Sequence, residues 1–354
     1  MQIQPQVPCI IYKDTLAWMD KLGLDVDLGT YASLLNLHTH GRSLSKGKRI
    51  HAHIVHHGHD HQIYLNNLLV LMYGKCGDLP DARAIFVRMP TRNAFSWNIM
   101  MGACIQNKAN HEAIKVFSHM SLHGMKPDKV TFLGILSICA NQATLRVGKY
   151  VHNVIVEDGI ELDITIGTAL LHMYGRCGTL NQAREVFERL PKRNIVAWSA
   201  MISTYGQHGE GHEAVRLFRH MQQEGIIPCE IAFIAILSAC SRTGLIDEGC
   251  YFFSSMFMLR HHGINPSEEH YNCMIDLLGR AGRLNESERL LRSFEPSLMS
   301  WITLFGACKV NLDLPRAIRV VEHILALDPG NSILHKLLTM IYSIGGSDLD
   351  AYMF

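Results

Sequence analysis

The sequence predicts an all-α fold, a right-handed superhelical solenoid of tandem helix-turn-helix repeats. Two observations predict it. The chain matches itself at an offset of 101 residues, with matches spread over the whole period. Within each period, apolar residues recur at helical spacing in paired short stripes separated by glycine-rich turns.

The offset sets Gly47 on Gly148, His51 on His152, Tyr73 on Tyr174, Cys76 on Cys177, Pro90 on Pro191, Trp97 on Trp198, Met120 on Met221 and Pro127 on Pro228. A partial third copy sets Cys139 on Cys240 and Gly148 on Gly249. In residues 195–229, Trp198, Met201, Ile202 and Tyr205 make one stripe, and Ala214, Leu217, Phe218 and Met221 make a second across the turn GQHGEG. Gly225 then stands where a left-handed residue ends a helix, and Pro228 stops its continuation. Residues 94–128 repeat the arrangement with Trp97, Met100, Met101 and Cys104, then Ala113, Val116, Phe117 and Met120. Two short helices cannot bury both stripes alone, so stacking on neighbours is the physical reason for an array.

Composition narrows the function. A formal net charge of +1 lacks the basic balance that announces a nucleic-acid binder, so any such site must be a local groove. Ten cysteines with no CxxC pair, most of them in apolar stripes, fit a reducing compartment. No uncharged apolar run approaches the ~18 residues of a membrane span, and a soluble protein is expected. The N-terminal MQIQPQVPCIIYKDT carries neither a secretory nor an organellar signal pattern.

The units resemble the P, L and S variants of plant pentatricopeptide repeat proteins of the PLS class. YGKCGDLPDARAIFVRMPTRN and YGRCGTLNQAREVFERLPKRN resemble S-type units, SWNIMMGACIQ and AWSAMISTYGQ open P-type units, and TFLGILSICA and AFIAILSACSRTGLIDEG resemble L-type units. The resulting segmentation is a partial repeat at 1–27, then units at 28–62, 63–93, 94–128, 129–163, 164–194, 195–229, 230–267 and 268–297. WITLFGACKV, from 301, lies in an E-like extension assigned to 298–354. Both ends look truncated, so fraying, capping by a partner or an incomplete chain is expected there.

The resemblance implies that each unit faces one nucleotide of single-stranded RNA. Base identity would be read by a polar side chain early in the first helix and by the unit's last residue, through hydrogen bonds to the base edge. The implied pairs are Asn67 with Asn93, Asn98 with Asp128, Thr168 with Asn194 and Ser199 with Cys229, with Asn272 in a further unit. Asn98 with Asp128 would favour U, Thr168 with Asn194 would favour A, and Asn67 with Asn93 would favour C over U. Cys229 is off the pattern, because a thiol is a poor partner for a base edge. Ala32, Leu133 and Ile234 hold the first position in the L-type units; being apolar, they would space or sandwich bases. Taken singly, each Asn or Thr near a helix start reads as a solvated or capping residue; recurrence in several units favours the reading role.

Other features have plainer explanations. HAHIVHHGHDH, residues 51–61, holds six histidines, yet no Cys or acidic ligand cluster accompanies them. It reads as a solvated helix terminus, not a metal site. Trp97, Trp198 and Trp301 sit in apolar stripes and read as core. The HxE and PCxxC deaminase signature, a Walker A loop, GxSxG and HExxH are all missing from the chain. The resemblance therefore implies a non-enzymatic RNA adaptor without cofactor or membrane partner. Its place would be organellar RNA processing or C-to-U editing in mitochondrion or chloroplast, with a deaminase or other editing factor supplied in trans through the E-like region. The alternative is a tetratricopeptide-like protein-binding scaffold, which the same helix-pair architecture and low net charge would suit.

Overall fold

The computed structural model describes residues 26–157, 163–258 and 264–328. The described residues form eighteen α-helices and no strand. In chain order these are α1 (Leu28–His40), α2 (Leu44–His56), α3 (Ile63–Cys76), α4 (Leu79–Arg88), α5 (Ala94–Gln106), α6 (Asn110–Leu122), α7 (Lys129–Gln142), α8 (Leu145–Glu157) and α9 (Ile164–Arg176). They continue as α10 (Leu180–Arg189), α11 (Ile195–Gln207), α12 (Gly211–Gln223), α13 (Glu230–Thr243), α14 (Ile246–Met258), α15 (Glu268–Arg280), α16 (Leu284–Leu291), α17 (Leu298–Val310) and α18 (Leu314–Leu327). Odd-numbered helices are the first of each pair. The partial repeat expected at 1–27 lies outside the described residues except for its last two, as does 329–354 of the expected extension.

Short polar side chains start the first helices. Asp27, Asn93, Asp163 and Asn194 each accept the backbone N–H three residues on, satisfying a donor that the helix itself leaves orphaned. Glycines end several helices: Gly124 after α6 and Gly225 after α12 have φ of 69° and 76°, the left-handed conformation their place in the sequence predicted. The apolar stripes are buried. Trp198, Met201 and Ile202 of α11 are fully excluded from solvent, as are Ala214, Phe218 and Met221 of α12.

Two compact units divide the chain, residues 1–142 and 143–354. In the first, α1, α3, α5 and α7 pack in sequence; in the second, α9, α11, α13, α15 and α17 do the same. Within each unit the second helices back this layer: α2, α4, α6, α10, α12, α14 and α16 touch their own first helix and the next one, while α8 touches α9 and α18 touches α17. First helices approach closely because small residues meet there. A Cβ added to Gly206 of α11 would lie 2.6 Å from the Cβ of Ala239 on α13, and one on Gly175 of α9 would lie 2.6 Å from Thr204 Oγ1 on α11.

Side chains also tie one first helix to the preceding one at the far end. Asn107 Nδ2 donates to the Gly74 carbonyl at 2.8 Å, His208 Nε2 to that of Gly175 at 3.0 Å, and Asn311 Nδ2 to that of Gly279 at 2.7 Å. Each tie adds a second donor to a carbonyl in the last turn of α3, α9 or α15, which also accepts the backbone N–H three residues on. No helix among the described residues is long and apolar enough to cross a membrane.

Candidate nucleic-acid interface

Asn98 and Asp128 are brought together. Asn98 lies on the first turns of α5 and Asp128 precedes α7. The Asn98 Nδ2 donates to both carboxylate oxygens of Asp128, at 3.1 and 2.9 Å, and its Oδ1 accepts from the Thr131 hydroxyl at 2.6 Å. Asp128 in turn accepts from the Thr131 backbone N–H at 2.9 Å, so it also caps α7. Burial by itself would raise the Asp128 carboxyl pKa. The Thr131 N–H, the Thr131 hydroxyl and the Asn98 amide outweigh that and hold it below the ordinary range. The result is a half-exposed amide and an exposed carboxylate in fixed relative orientation, a donor and acceptor set that a base edge can engage.

The other implied pairs are placed differently. Thr168 Oγ1 donates back to the Ile164 carbonyl at 2.6 Å, and Ser199 Oγ to that of Ile195 at 2.7 Å, so both hydroxyls are engaged within their own helices. Asn194 Oδ1 accepts from the Ala197 N–H as the cap of α11, and Asn93 does the same for α5 through Ser96. Cys229 precedes α13 without a side-chain cap bond. Asn67 is only 4% exposed, and the side-chain oxygens of Asn67 and Asn272 are buried without a hydrogen-bond partner. Capping alone therefore accounts for the recurrence of Asn or Asp at 93, 128 and 194. The direct side-chain pair at 98 and 128 is a separate observation.

Three of these residues line grooves between first helices. Ser199 and Cys229 border one of about 340 Å³ together with His172, Arg176, Ile231 and Arg242. Asn272 borders another of about 370 Å³ with Arg242, Asp276 and Thr303. Burial first, and then the Arg176 charge, lower the His172 pKa, so its ring is kept neutral.

Two sets of residues here were missed by the sequence reading. Large apolar side chains stand exposed at the second position of first helices. In the first unit these are Tyr64, Phe95 and Val130, and in the second Val196, Ile231 and Met299. Their signal was an apolar residue just outside the buried stripe, repeated at one place in successive units. The second set is basic, in the last turn of first helices: Lys75 in the first unit, with Arg176, Arg242 and Arg280 in the second. Trp97, Trp198 and Trp301, by contrast, are buried, as their stripe implied. Within the histidine run, His51 pairs with the Tyr73 hydroxyl at 3.0 Å and His53 with that of Tyr31 at 2.6 Å. No cluster among the described residues is built to hold a metal ion.

Fold and site together define a helical repeat protein with a polar groove on its first helices, and comparison with known proteins names the family. The PPR repeat family model matches residues 92–141 and 193–242, the pentatricopeptide repeat domain matches 151–195, and the PPR repeat matches 67–93, 231–260 and 269–295. The chain belongs to the pentatricopeptide repeat family. It is 36% identical over 337 residues to the Arabidopsis thaliana pentatricopeptide repeat-containing protein CRR2, chloroplastic, covering 93% of this chain and 51% of that protein. It is 36% identical over 332 residues to the Arabidopsis thaliana pentatricopeptide repeat-containing protein At3g53360, mitochondrial, covering 93% of this chain and 43% of that one. The chain thus spans about half the length of the relatives it matches. Its fold superposes on pentatricopeptide repeat protein PPR10 in complex with an 18-nt psaJ RNA element. There the TM-score is 0.73 at 17% identity, over 92% of this chain and 49% of that one.

Proposed function

We propose that the chain is a sequence-selective adaptor for single-stranded RNA, with bases read at the Asn98–Asp128 pair and, with less preorganisation, at Asn67, Asn93, Thr168, Asn194, Ser199 and Asn272. The observation that carries this is the Asn98–Asp128–Thr131 arrangement. It spends three hydrogen bonds on orienting one amide and one carboxylate, where a cap alone needs only the bond from the Thr131 N–H to Asp128.

The exposed apolar residues at the second helical position would then flank the bases, since every base presents a π-face that apolar and aromatic side chains can cover. Lys75, Arg176 and Arg242 would face phosphates and supply the local positive charge that the whole chain lacks, whereas Arg280 is already paired with Asp276 at 2.9 Å. The relatives named chloroplastic and mitochondrial support an organelle as the place of action. Within it, the reading is RNA processing or C-to-U editing of the PLS type, with a deaminase acting in trans through the E-like residues from 298 onward.

Selection from a random single-stranded RNA pool tests the reading. A word in which a pyrimidine precedes U, with A two nucleotides beyond the U, should be enriched. A narrower check is Asn98→Ser with Asp128 kept, which should move one nucleotide from U towards G and leave its neighbours alone. Affinity that is indifferent to sequence and flat against salt would refute RNA reading and favour a protein-binding scaffold, because phosphate contacts release counterions and weaken steeply as salt rises.

A further inference from the structure

A second kind of cleft lies between second helices, and it occurs twice at the 101-residue offset. In the first unit, Phe86 of α4 and Trp97 of α5 meet edge to face at 4.9 Å and line a cleft of about 830 Å³. In the second unit, Phe187 and Trp198 meet in the same way at 5.0 Å and line one of about 660 Å³. Both volumes are in the range of sites that hold a ligand or an anchoring side chain. Trp97 is 4% exposed and Trp198 fully buried, and neither indole N–H has an acceptor.

The two clefts differ in one respect. Arg92 lies over the Phe86 ring at 5.1 Å, with Nε and Nη2 donating to the Phe86 and Val87 carbonyls at 2.7 and 2.6 Å, and its Nη1 is unpaired. Arg193 makes the same stack and the same two bonds, but its Nη1 lies 3.8 Å from a Glu224 carboxylate. The residue equivalent to Glu224 in the first cleft is His123. The first cleft also carries Lys108 and Lys115, both exposed and without an ion-pair partner. Its Arg83 is paired with Glu112. In the second cleft, Arg184 is matched by Glu188 and Arg216 by Glu213. The second cleft therefore has three of its four arginines ion-paired, with Arg219 the exception, and among the described residues the first keeps a preoriented guanidinium and two lysines without counter-charge.

We propose that the first cleft is a docking site for an acidic segment of a partner protein, whose carboxylate takes the place at Arg92 that Glu224 takes at Arg193, with an apolar neighbour packed on the exposed Val87. The apolar floor decides for a peptide. A phosphodiester would engage the lysine rim and leave the exposed Val87 side chain uncovered. The inference does not depend on what the first-helix grooves bind.

An acetylated peptide of repeated Glu-Leu-Phe-Glu, and the same peptide with Gln for Glu, are titrated calorimetrically into the full chain, alone and with RNA present. The Glu peptide should bind and the Gln peptide should be roughly tenfold weaker, the size expected for one charge-assisted hydrogen bond. His123→Glu should weaken the Glu peptide by a similar factor, and Glu224→His should add a second binding event. Both positions are exposed at helix C-termini, and thermal unfolding of each variant checks that the fold is retained. Absence of binding, equal affinity for both peptides, or indifference to His123→Glu would overturn the proposal. Displacement of the peptide by RNA would also overturn it, since the cleft would then be part of the RNA path.

Discussion

Replacing Asp128 by Asn and by Ala separates its two roles. Asn caps a helix about as well as Asp, so Asp128→Asn should keep the bond from the Thr131 N–H and change stability by no more than about 0.5 kcal/mol. Ala removes the cap, worth about 1 kcal/mol, and the exposed bonds from the Asn98 amide, worth about another 1 kcal/mol together. Asp128→Ala should therefore cost about 2 kcal/mol. The effect on base preference runs the other way. A carboxylate only accepts, which suits the N3–H of uracil, whereas an amide can also donate to N3 of cytosine. A well-made polar pair discriminates bases by about 1–3 kcal/mol, and with the Asp128 carboxylate exposed to water the lower end applies. Asp128→Asn should thus lower the U to C affinity ratio at one nucleotide by about fivefold or more. The assay is competition between two RNAs that differ only at that nucleotide, with thermal unfolding in parallel. An unchanged ratio in a variant of unchanged stability would refute base reading by Asp128 and leave it as a cap.

Three further outcomes follow from the packing. Burial lowers the pKa of His51, His152 and His270 below 6.5, so the unfolded chain binds the proton first as pH falls. Stability should then be full above about pH 6.5 and decline below it, before any carboxylate titrates. A stability profile flat between pH 6.5 and 5 would contradict this, and His152→Gln should flatten it in part. Gly206→Ala forces a Cβ to 2.6 Å from the Ala239 Cβ and 2.9 Å from its Cα, and should cost about 1–3 kcal/mol. Gly102→Ala meets nothing within 4 Å in the middle of α5 and should stabilise by up to about 1 kcal/mol. If both changes behave alike in thermal unfolding, close packing of first helices is not what fixes Gly206. Asn107→Ala removes the donor shared by the Gly74 and Ala103 carbonyls at 2.8 Å each, and should cost about 1–2 kcal/mol with faster amide exchange at the end of α5.

Helix pairs were legible because periodicity and punctuation are local. Trp198, Met201, Ile202 and Tyr205 share a face by spacing alone, and Gly225 ends its helix because few other residues accept φ of 76°. The site was less legible because its contacts cross between units. Nothing local says that the Asn98 amide reaches Asp128, thirty residues on, while the Thr168 hydroxyl turns back to the Ile164 carbonyl. A helix interior always offers a hydroxyl the carbonyl four residues earlier, whereas an amide is long enough to leave it. The open Nη1 of Arg92 was likewise invisible until the substitution of His123 for Glu224 could be read against a shared stack.

The residue just before a first helix can also cap it, and this restricts what such a position can become. Asn and Asp accept a helix N–H and still present polar atoms, so Asn93, Asp128 and Asn194 can cap and contact a ligand at once. Cys229 does neither well: it makes no cap bond to α13, and its thiol offers a base edge little. If capping were the sole pressure, Cys229→Asp should stabilise the chain and alter nothing else. If the position also reads a base, the same change should gain about 1 kcal/mol from the new cap and create a nucleotide preference where the cysteine gave none. Ser199 beside it would then supply the second contact, and only by giving up its bond to the Ile195 carbonyl. The preference gained there should accordingly be smaller than the one lost at Asp128, where the partner amide is already held in place by Thr131.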